Sequence, residues 1–285
     1  MVQKVVGKFD SCNSSFKRLG SSVFIKYFIP MHSDVFTTGP SELHPCPSPS
    51  APDTMKESLS SEIPEYNVYV SLSMRIAISG SHSLGKSTLV NDWVATNPHF
   101  IREEEPYRAL GLYGPYEILF RDASTKLHNG IQMYYNISRI HRYGKSTDDV
   151  IFDRAPVDYI AYSQYTANQG STDIDTAFVE SMVPAVRESL DHLDILAFVP
   201  KSESWPVEME TDGIRPVDHA YRDEVDAIFK QIYREGRFQV LREKNGPLLV
   251  ELWGSREQRL DQLQAAIDEV KSSKVVAQCE PDSHK

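Results

Sequence analysis

The amino-acid sequence predicts an α/β fold, three layers deep, built around a mainly parallel sheet. Three observations carry that expectation. From Met74 onward, short apolar runs alternate with longer segments of helical spacing, the order that crossover helices impose on parallel strands. The runs are apolar throughout, as strands covered on both faces are. The first run, Arg75-Ile76-Ala77-Ile78, leads into Gly80-Ser81-His82-Ser83-Leu84-Gly85-Lys86-Ser87, a glycine-bounded loop with a helix-like segment behind it.

Each element follows from its residues. Arg75–Ser79 is the first strand, and Thr88-Leu89-Val90-Asn91-Asp92-Trp93-Val94 has the spacing of a helix over Lys86–Ala95. A second strand is expected at Phe100–Glu103, after which Glu105-Pro106 either opens a helix or closes a solvated acidic patch. The stretch Glu117–Tyr143 predicts one long helix, with Met133, Tyr134, Tyr135 and Ile137 on its packed face. Val150–Asp153 predicts the third strand, and Pro156 suits the start of a helix over Val157–Ala167. Helix Asp175–Leu190, strand Ile195–Val199 and helix Asp218–Glu235 come next. Strands at Phe238–Leu241 and Leu248–Leu252, and a helix over Ser255–Val270 capped by Ser255, complete the set.

The main domain is expected over residues 74–271. Residues 1–73 differ: Ser and Pro cluster from Ser33 to Pro64, with too little apolar surface to offset ordering entropy, so a disordered extension is expected. Its basic, serine-rich start over residues 1–33 bears a weak resemblance to an organelle transit peptide. The plain readings are an unstructured extension or an original start at Met74. The polar tail, residues 272–285, is expected to fray.

Charge and cysteine usage narrow the function classes. A formal net charge of -10 argues against a nucleic-acid surface, so phosphate recognition must rest on a few local cations. No apolar run approaches the roughly 18 residues that cross a bilayer. Cys12, Cys46 and Cys279 all lie in the flanks, which excludes a disulfide framework or a Cys-based zinc site in the domain. That usage fits a reducing, cytoplasmic setting.

Gly80–Ser87 fits the G-x-x-x-x-G-K-[ST] pattern. Gly80 and Gly85 let the main chain curl so that amides across Ser81, His82, Ser83 and Leu84 point at one phosphate chain, and the helix behind adds its positive end. Lys86 reaches the β- and γ-phosphates, the Ser87 hydroxyl joins the shell of a Mg²⁺ ion, and Thr88 completes the binding stretch. The expected cofactors are ATP or GTP, with Mg²⁺.

Four further stretches are candidates, each with a plainer alternative. Asp153, ending an apolar strand, either serves the metal from the side opposite Ser87 or caps the helix near Pro156; Arg154 beside it suits a phosphate or substrate oxygen. Glu105, with Arg108 nearby, either orients and deprotonates an acceptor hydroxyl or belongs to a solvated patch. Asp212-Gly213-Ile214-Arg215-Pro216 and the later Arg222 read as a lid bringing arginines to the γ-phosphate, or as a surface loop. Ser255 and Arg256 follow the last strand, where they either touch a purine ring or only cap a helix.

Taken together, these blocks resemble the NadR-like family of AAA-type P-loop domains, which includes the nicotinamide riboside kinase domain of NadR and the TRP-translocation-defect proteins. The resemblance spans about Met74–Val270. It rests on Ile76–Leu89, Glu105-x-x-Arg108, Phe152-Asp153-Arg154-x-Pro156-x-Asp158-Tyr159, Asp212-Gly213-x-Arg215 with Arg222, and Gly254-Ser255-Arg256-Glu257. It implies a P-loop NTPase sandwich of nucleoside/nucleotide-kinase type, Mg-ATP or Mg-GTP binding, and phosphorylation of a nucleoside-like acceptor. The Asp153-Arg154 pair is more similar to deoxynucleoside and thymidylate kinases. Two functions compete: a kinase acting on an unidentified small-molecule acceptor, and a nucleotide-dependent switch that binds a protein or lipid partner. A binding protein with a silent loop is the third.

Overall fold

The apolar runs assemble into a five-stranded sheet in which every neighbouring pair is parallel. The chain order is β1 (Arg75–Ser79), α1 (Lys86–Thr96), β2 (Ile101–Glu103), α2 (Pro106–Leu112), α3 (Lys126–Tyr143), β3 (Val150–Asp153) and α4 (Pro156–Gln169). There follow α5 (Thr176–Leu190), β4 (Ile195–Phe198), α6 (His219–Arg234), β5 (Leu248–Glu251) and α7 (Arg256–Cys279). The computed structural model describes residues 72–112, 117–209, 217–242, 244 and 246–279, all within one compact unit. The extension expected over residues 1–73 therefore lies outside the described residues except for its last two. The lid residues Asp212–Pro216, Arg215 among them, and the tail residues 280–285 lie outside them as well.

Strand order is β2-β3-β1-β4-β5, with Ile76 in register with Ile151 on one side and Ile195 on the other. The chain passes from β1 to the edge strand β2, returns to fill β3 between them, and then builds outward on the other side of β1 through β4 and β5. That reversal places a crevice at the carboxyl end of β1, where open sheets of this kind bind ligands.

Side-chain alternation along β1 defines the layers. Ile76 and Ile78 pack with Leu89, Val90 and Trp93 of α1 and with Leu263 and Ile267 of α7. Ala77 faces the other way, with Phe152 and Phe198, against Met133, Ile160, Val186 and Phe229 from α3, α4, α5 and α6. Both faces of the sheet are thus covered, which is why its strands read as continuous apolar runs. Local signals fix the helix starts: Thr125, Asp175 and Asp218 accept hydrogen bonds from the amides of His128, Phe178 and Tyr221 at 3.4, 2.8 and 3.0 Å. No helix among the described residues is long and apolar enough to cross a membrane.

Three expectations about elements are corrected, and one open alternative is resolved. Phe238–Leu241 is no strand; Arg237–Gln239 forms a 3₁₀ turn in which Phe238 and Gln239 have φ of 66° and 49°. Those left-handed angles are incompatible with a ladder, and Arg187 holds the turn through the carbonyls of Gln239 (2.9 Å) and Phe238 (3.3 Å). The helix expected from Glu117 begins only at Lys126, because Arg121 takes a φ of 60° and Thr125 supplies the cap. Pro106 does open a helix, α2. Finally, α7 continues past Val270 to Cys279, where Lys274 anchors it to the Ser73 carbonyl (3.0 Å) and to Asp194 (2.8 Å).

Phe229 is fully buried and stacks on Phe198 with centroids 5.9 Å apart. Phe229→Ala should cost about 3–5 kcal/mol in chemical denaturation; a loss under about 1 kcal/mol would contradict this packing.

Candidate functional site

The loop after β1 is shaped by one close approach. Gly80 has a φ of 135°, and a Cβ there would sit 2.6 Å from the Val199 carbonyl oxygen. Only glycine meets both conditions. The chain then curls through Ser83 (φ 53°) and Gly85 (φ 80°) into α1. Neighbouring helices tie the loop down: Ser81 Oγ donates to the Arg222 carbonyl at 3.0 Å, and Arg259 Nη1 of α7 donates to the Leu84 carbonyl at 2.7 Å. Lys86 Nζ donates to the Ser81 carbonyl. Burial holds the Lys86 ammonium well below its usual range, Arg154 adds to the effect, and Asp158, Asp153 and Glu105 oppose it.

Around Lys86 lies a buried charge cluster. Arg154 donates through Nε (3.0 Å) and Nη2 (2.8 Å) to Glu105 Oε1, and its Nη1 lies 3.7 Å from Asp158 Oδ2. Its φ of 119° is strained for a long side chain, and Asn136 Nδ2 pins its carbonyl at 3.2 Å. Burial works against the Arg154 charge, but Glu105 and the neighbouring acidic groups outweigh it and hold the guanidinium above its usual range. Asp158 accepts from Ser79 Oγ at 2.6 Å, and that hydroxyl also lies 2.6 Å from the Tyr233 hydroxyl. Burial lifts the Asp158 carboxyl to about 6, against the pull of Arg154 and Lys86. Asp153 is buried, and among the described residues none donates a hydrogen bond to either carboxylate oxygen; Arg102 Nη2 lies 3.5 Å from Oδ2. It does not cap α4, whose N-cap is Ala155. The capping alternative is thereby removed.

Two cavities meet at this cluster. The larger, about 350 Å³, is lined by Ser83 and Gly85–Leu89, by Asp92, by Glu105, Arg108 and Arg154, by Val207–Met209 and by Gly254, Arg256 and Arg259. The smaller, about 50 Å³, shares Glu105 and Arg154 as a wall and is lined by Phe120, Tyr159, Tyr162 and Tyr221 with Asn129 and Gln132.

Most of the expected residues converge here. Ser83, Gly85, Lys86, Ser87, Thr88, Glu105, Arg154 and Arg256 line the larger cavity. Gly80, Ser81 and Leu84 shape the loop from beneath, and His82 faces the smaller cavity, stacked on Tyr221 at 4.7 Å. Arg256 is exposed and paired with Asp92 at 2.9 and 2.5 Å. Asp153 lines neither cavity but is buried within electrostatic reach of Lys86. Two further residues stand elsewhere. Ser255 Oγ accepts from the Gln258 amide at 3.3 Å, a helix cap outside the cavity lining. Arg222 also lies off both linings, donating from Nη1 to the Val207 carbonyl at 2.8 Å. Arg215 lies outside the described residues. Arg259, Arg102 and Asp158 were given no role from the sequence, although Asp158 stands in one of the blocks that carry the resemblance. Spacing was the available signal: Arg259 follows Arg256 by three and Asp158 follows Arg154 by four, one helical turn each.

A family model described as an AAA domain matches residues 75–248, more than half of the chain. The chain belongs to the AAA-domain family. Two solved structures similar to this AAA domain are both of NadR protein. One, in complex with NAD and AMP-PNP, is 16% identical, with a TM-score of 0.46 over 69% of this chain and 50% of that one. The other, in complex with NR, is 16% identical, with a TM-score of 0.48 over 68% of this chain and 51% of that one. The AAA domain thus spans about half the length of those NadR chains. No curated protein matches the chain. The family match ends at Leu248, so the α7 residues bordering the larger cavity lie beyond it.

Gly80→Ala should cost more than about 1 kcal/mol, seen as a melting temperature lower by at least about 3 °C; an unchanged melting curve would contradict the close approach to Val199. Asp158 supplies a pH test. Between the ordinary carboxyl value of 3.8 and about 6, the folded chain binds more protons at Asp158 than the unfolded chain, so this group makes stability fall as pH rises. The unfolding free energy of wild type minus that of Asp158→Asn should therefore drop between pH 4 and 7 by up to about 3 kcal/mol. A flat or rising difference would contradict the burial of this carboxyl.

Proposed function

We propose that this AAA domain binds ATP or GTP with Mg²⁺ and transfers the γ-phosphoryl group to a small, hydroxyl-bearing, nucleoside- or nucleotide-like acceptor. The observation that carries this reading is the buried Glu105–Arg154 pair, shared as a wall by two cavities. Phosphoryl transfer needs donor and acceptor held in line, with a carboxylate and a cation where they meet.

In the larger cavity the loop amides and Lys86 hold the phosphates, while Arg108, Arg256 and Arg259 add positive charge. The smaller cavity, aromatic with two carboxamides, suits a planar hydrogen-bonding acceptor, and at about 50 Å³ it must widen to admit one. The acceptor hydroxyl oxygen attacks the γ-phosphorus, forming a new P–O bond. The bond from that phosphorus to the β–γ bridging oxygen breaks, and the diphosphate leaves with the electron pair. The hydroxyl proton passes to the Glu105 carboxylate, and Arg154 stabilises the charge that develops.

The residues present fit Mg²⁺. The unbonded carboxylate oxygens of Asp153, with the Ser87 hydroxyl at the loop end, form an oxygen donor set for an ion that takes few protein ligands and fills its shell with water and phosphate. Bound there, the ion would neutralise phosphate charge.

The test is ADP release across a panel of nucleosides and nucleotides. Turnover should depend on one acceptor, and Glu105→Gln should lower it by about 10²–10⁴-fold while leaving ATP affinity within a few-fold. Release that needs no acceptor and survives Glu105→Gln would replace the kinase with a simple NTPase or switch.

A further inference from the structure

We infer that Arg102 guards the Asp153 carboxylate, so that a divalent cation enters the site together with a nucleoside triphosphate and not ahead of it. This rests on the Mg²⁺ reading of Asp153 above and adds the order in which that site fills.

Strand register brings the two side chains to one face of the sheet. Arg102 of β2 stands beside Ile151 of β3, and Ile151 packs in the layer that holds Leu89, Val90 and Trp93 of α1. Asp153 follows Ile151 by two and so faces the same way, toward the start of α1, where Ser87 stands. Arg102 Nη2 lies 3.5 Å from Asp153 Oδ2 and 3.1 Å from Glu104 Oε1. One guanidinium nitrogen is thus shared between two carboxylates. The Asp153 side chain is fully buried, whereas those of Arg102 and Glu104 are 28% and 34% exposed. Glu104 is itself held in place, because the same oxygen accepts from the Glu105 N–H at 3.0 Å.

Asp153 has positive charge around it but no donors. Arg102 lies beside it, and Lys86 and Arg154 are within its electrostatic reach. Yet among the described residues none donates a hydrogen bond to either of its oxygens. Buried carboxylate oxygens without donors are costly to keep, and an oxygen-seeking cation answers that need. The neighbouring positive charge opposes the same cation. A bare divalent ion would be added to the cations already beside Asp153, in surroundings where charges interact more strongly than in water. A triphosphate arriving with the ion supplies the missing negative charge. Arg102 need not leave, because its Nη2 keeps Glu104 while giving up Asp153. Its Nε is buried with no hydrogen-bond partner among the described residues, so the guanidinium is not locked by a full set of bonds.

Titration of Mn²⁺ into the full chain, read by electron paramagnetic resonance with and without AMP-PNP, tests this. Binding at the site is the part that Asp153→Asn removes. Without nucleotide, Arg102→Gln should bind Mn²⁺ there at least about tenfold more tightly than wild type, a difference of about 1.4 kcal/mol. With AMP-PNP the two should agree within about threefold. Arg102→Lys, which keeps the charge, should follow wild type. Should Arg102→Gln fail to fold, Glu104→Gln leaves Arg102 to Asp153 alone and should weaken Mn²⁺ binding with AMP-PNP by about threefold; no change there would overturn the inference. Equal nucleotide-free affinity in wild type and Arg102→Gln, a gain that survives added Asp153→Asn, or Arg102→Lys behaving like Arg102→Gln would overturn the inference and leave the metal reading standing. Mn²⁺ bound with AMP-PNP as tightly in Asp153→Asn as in wild type would overturn both.

Discussion

Five ionisable side chains are buried together at the carboxyl end of the sheet, and the site takes its shape from holding them there: Lys86, Glu105, Asp153, Arg154 and Asp158. Removing a charge from water costs several kcal/mol unless partners compensate. Here each partner comes from a different stretch: the start of α1, the residue ahead of α2, the end of β3, the residue after it, and α4. The cluster is satisfied only when these elements sit in one arrangement. Its balance is close, with two cations against three carboxyls, one of which, Asp158, is lifted to about 6. Lys86 meanwhile donates to a carbonyl of its own loop, a partner that a phosphate oxygen can replace.

A triphosphate brings far more negative charge than that cluster absorbs, and the chain as a whole is acidic, at -10. The compensation is local. Arg108, Arg256 and Arg259 border the larger cavity, and Arg259 also braces the loop through Leu84. Burial lowers the Arg259 guanidinium from its usual range, so this brace is held in place at some electrostatic cost that a bound anion would relieve. Arg222 links the loop to the stretch between β4 and α6, its carbonyl accepting from Ser81 and its side chain gripping Val207.

What the sequence revealed about this site was local in origin. The phosphate loop was legible because Gly80 and Gly85 answer backbone angles that few residues adopt, and the strand and helix around it follow from periodicity. Phe238–Leu241 misled because apolar content says nothing about φ, and Arg187, which holds that turn, lies about fifty residues earlier in the chain. The late start of α3 turns on Arg121, whose positive φ no propensity signals. The roles of Asp158 and Arg259 were not legible for a different reason. Each looks like an ordinary charge on a helix face until the fold buries it against a partner distant in sequence, Ser79 or Leu84.

Calorimetric titration of MgATP into wild type and Lys86→Ala measures most directly whether a triphosphate rests on the Gly80–Ser87 loop. Wild type should give saturable heat, and the variant, lacking its charge-assisted bonds to phosphate, should bind at least about tenfold more weakly. Equal affinity in the two proteins, or no heat from wild type with either ATP or GTP, would contradict it.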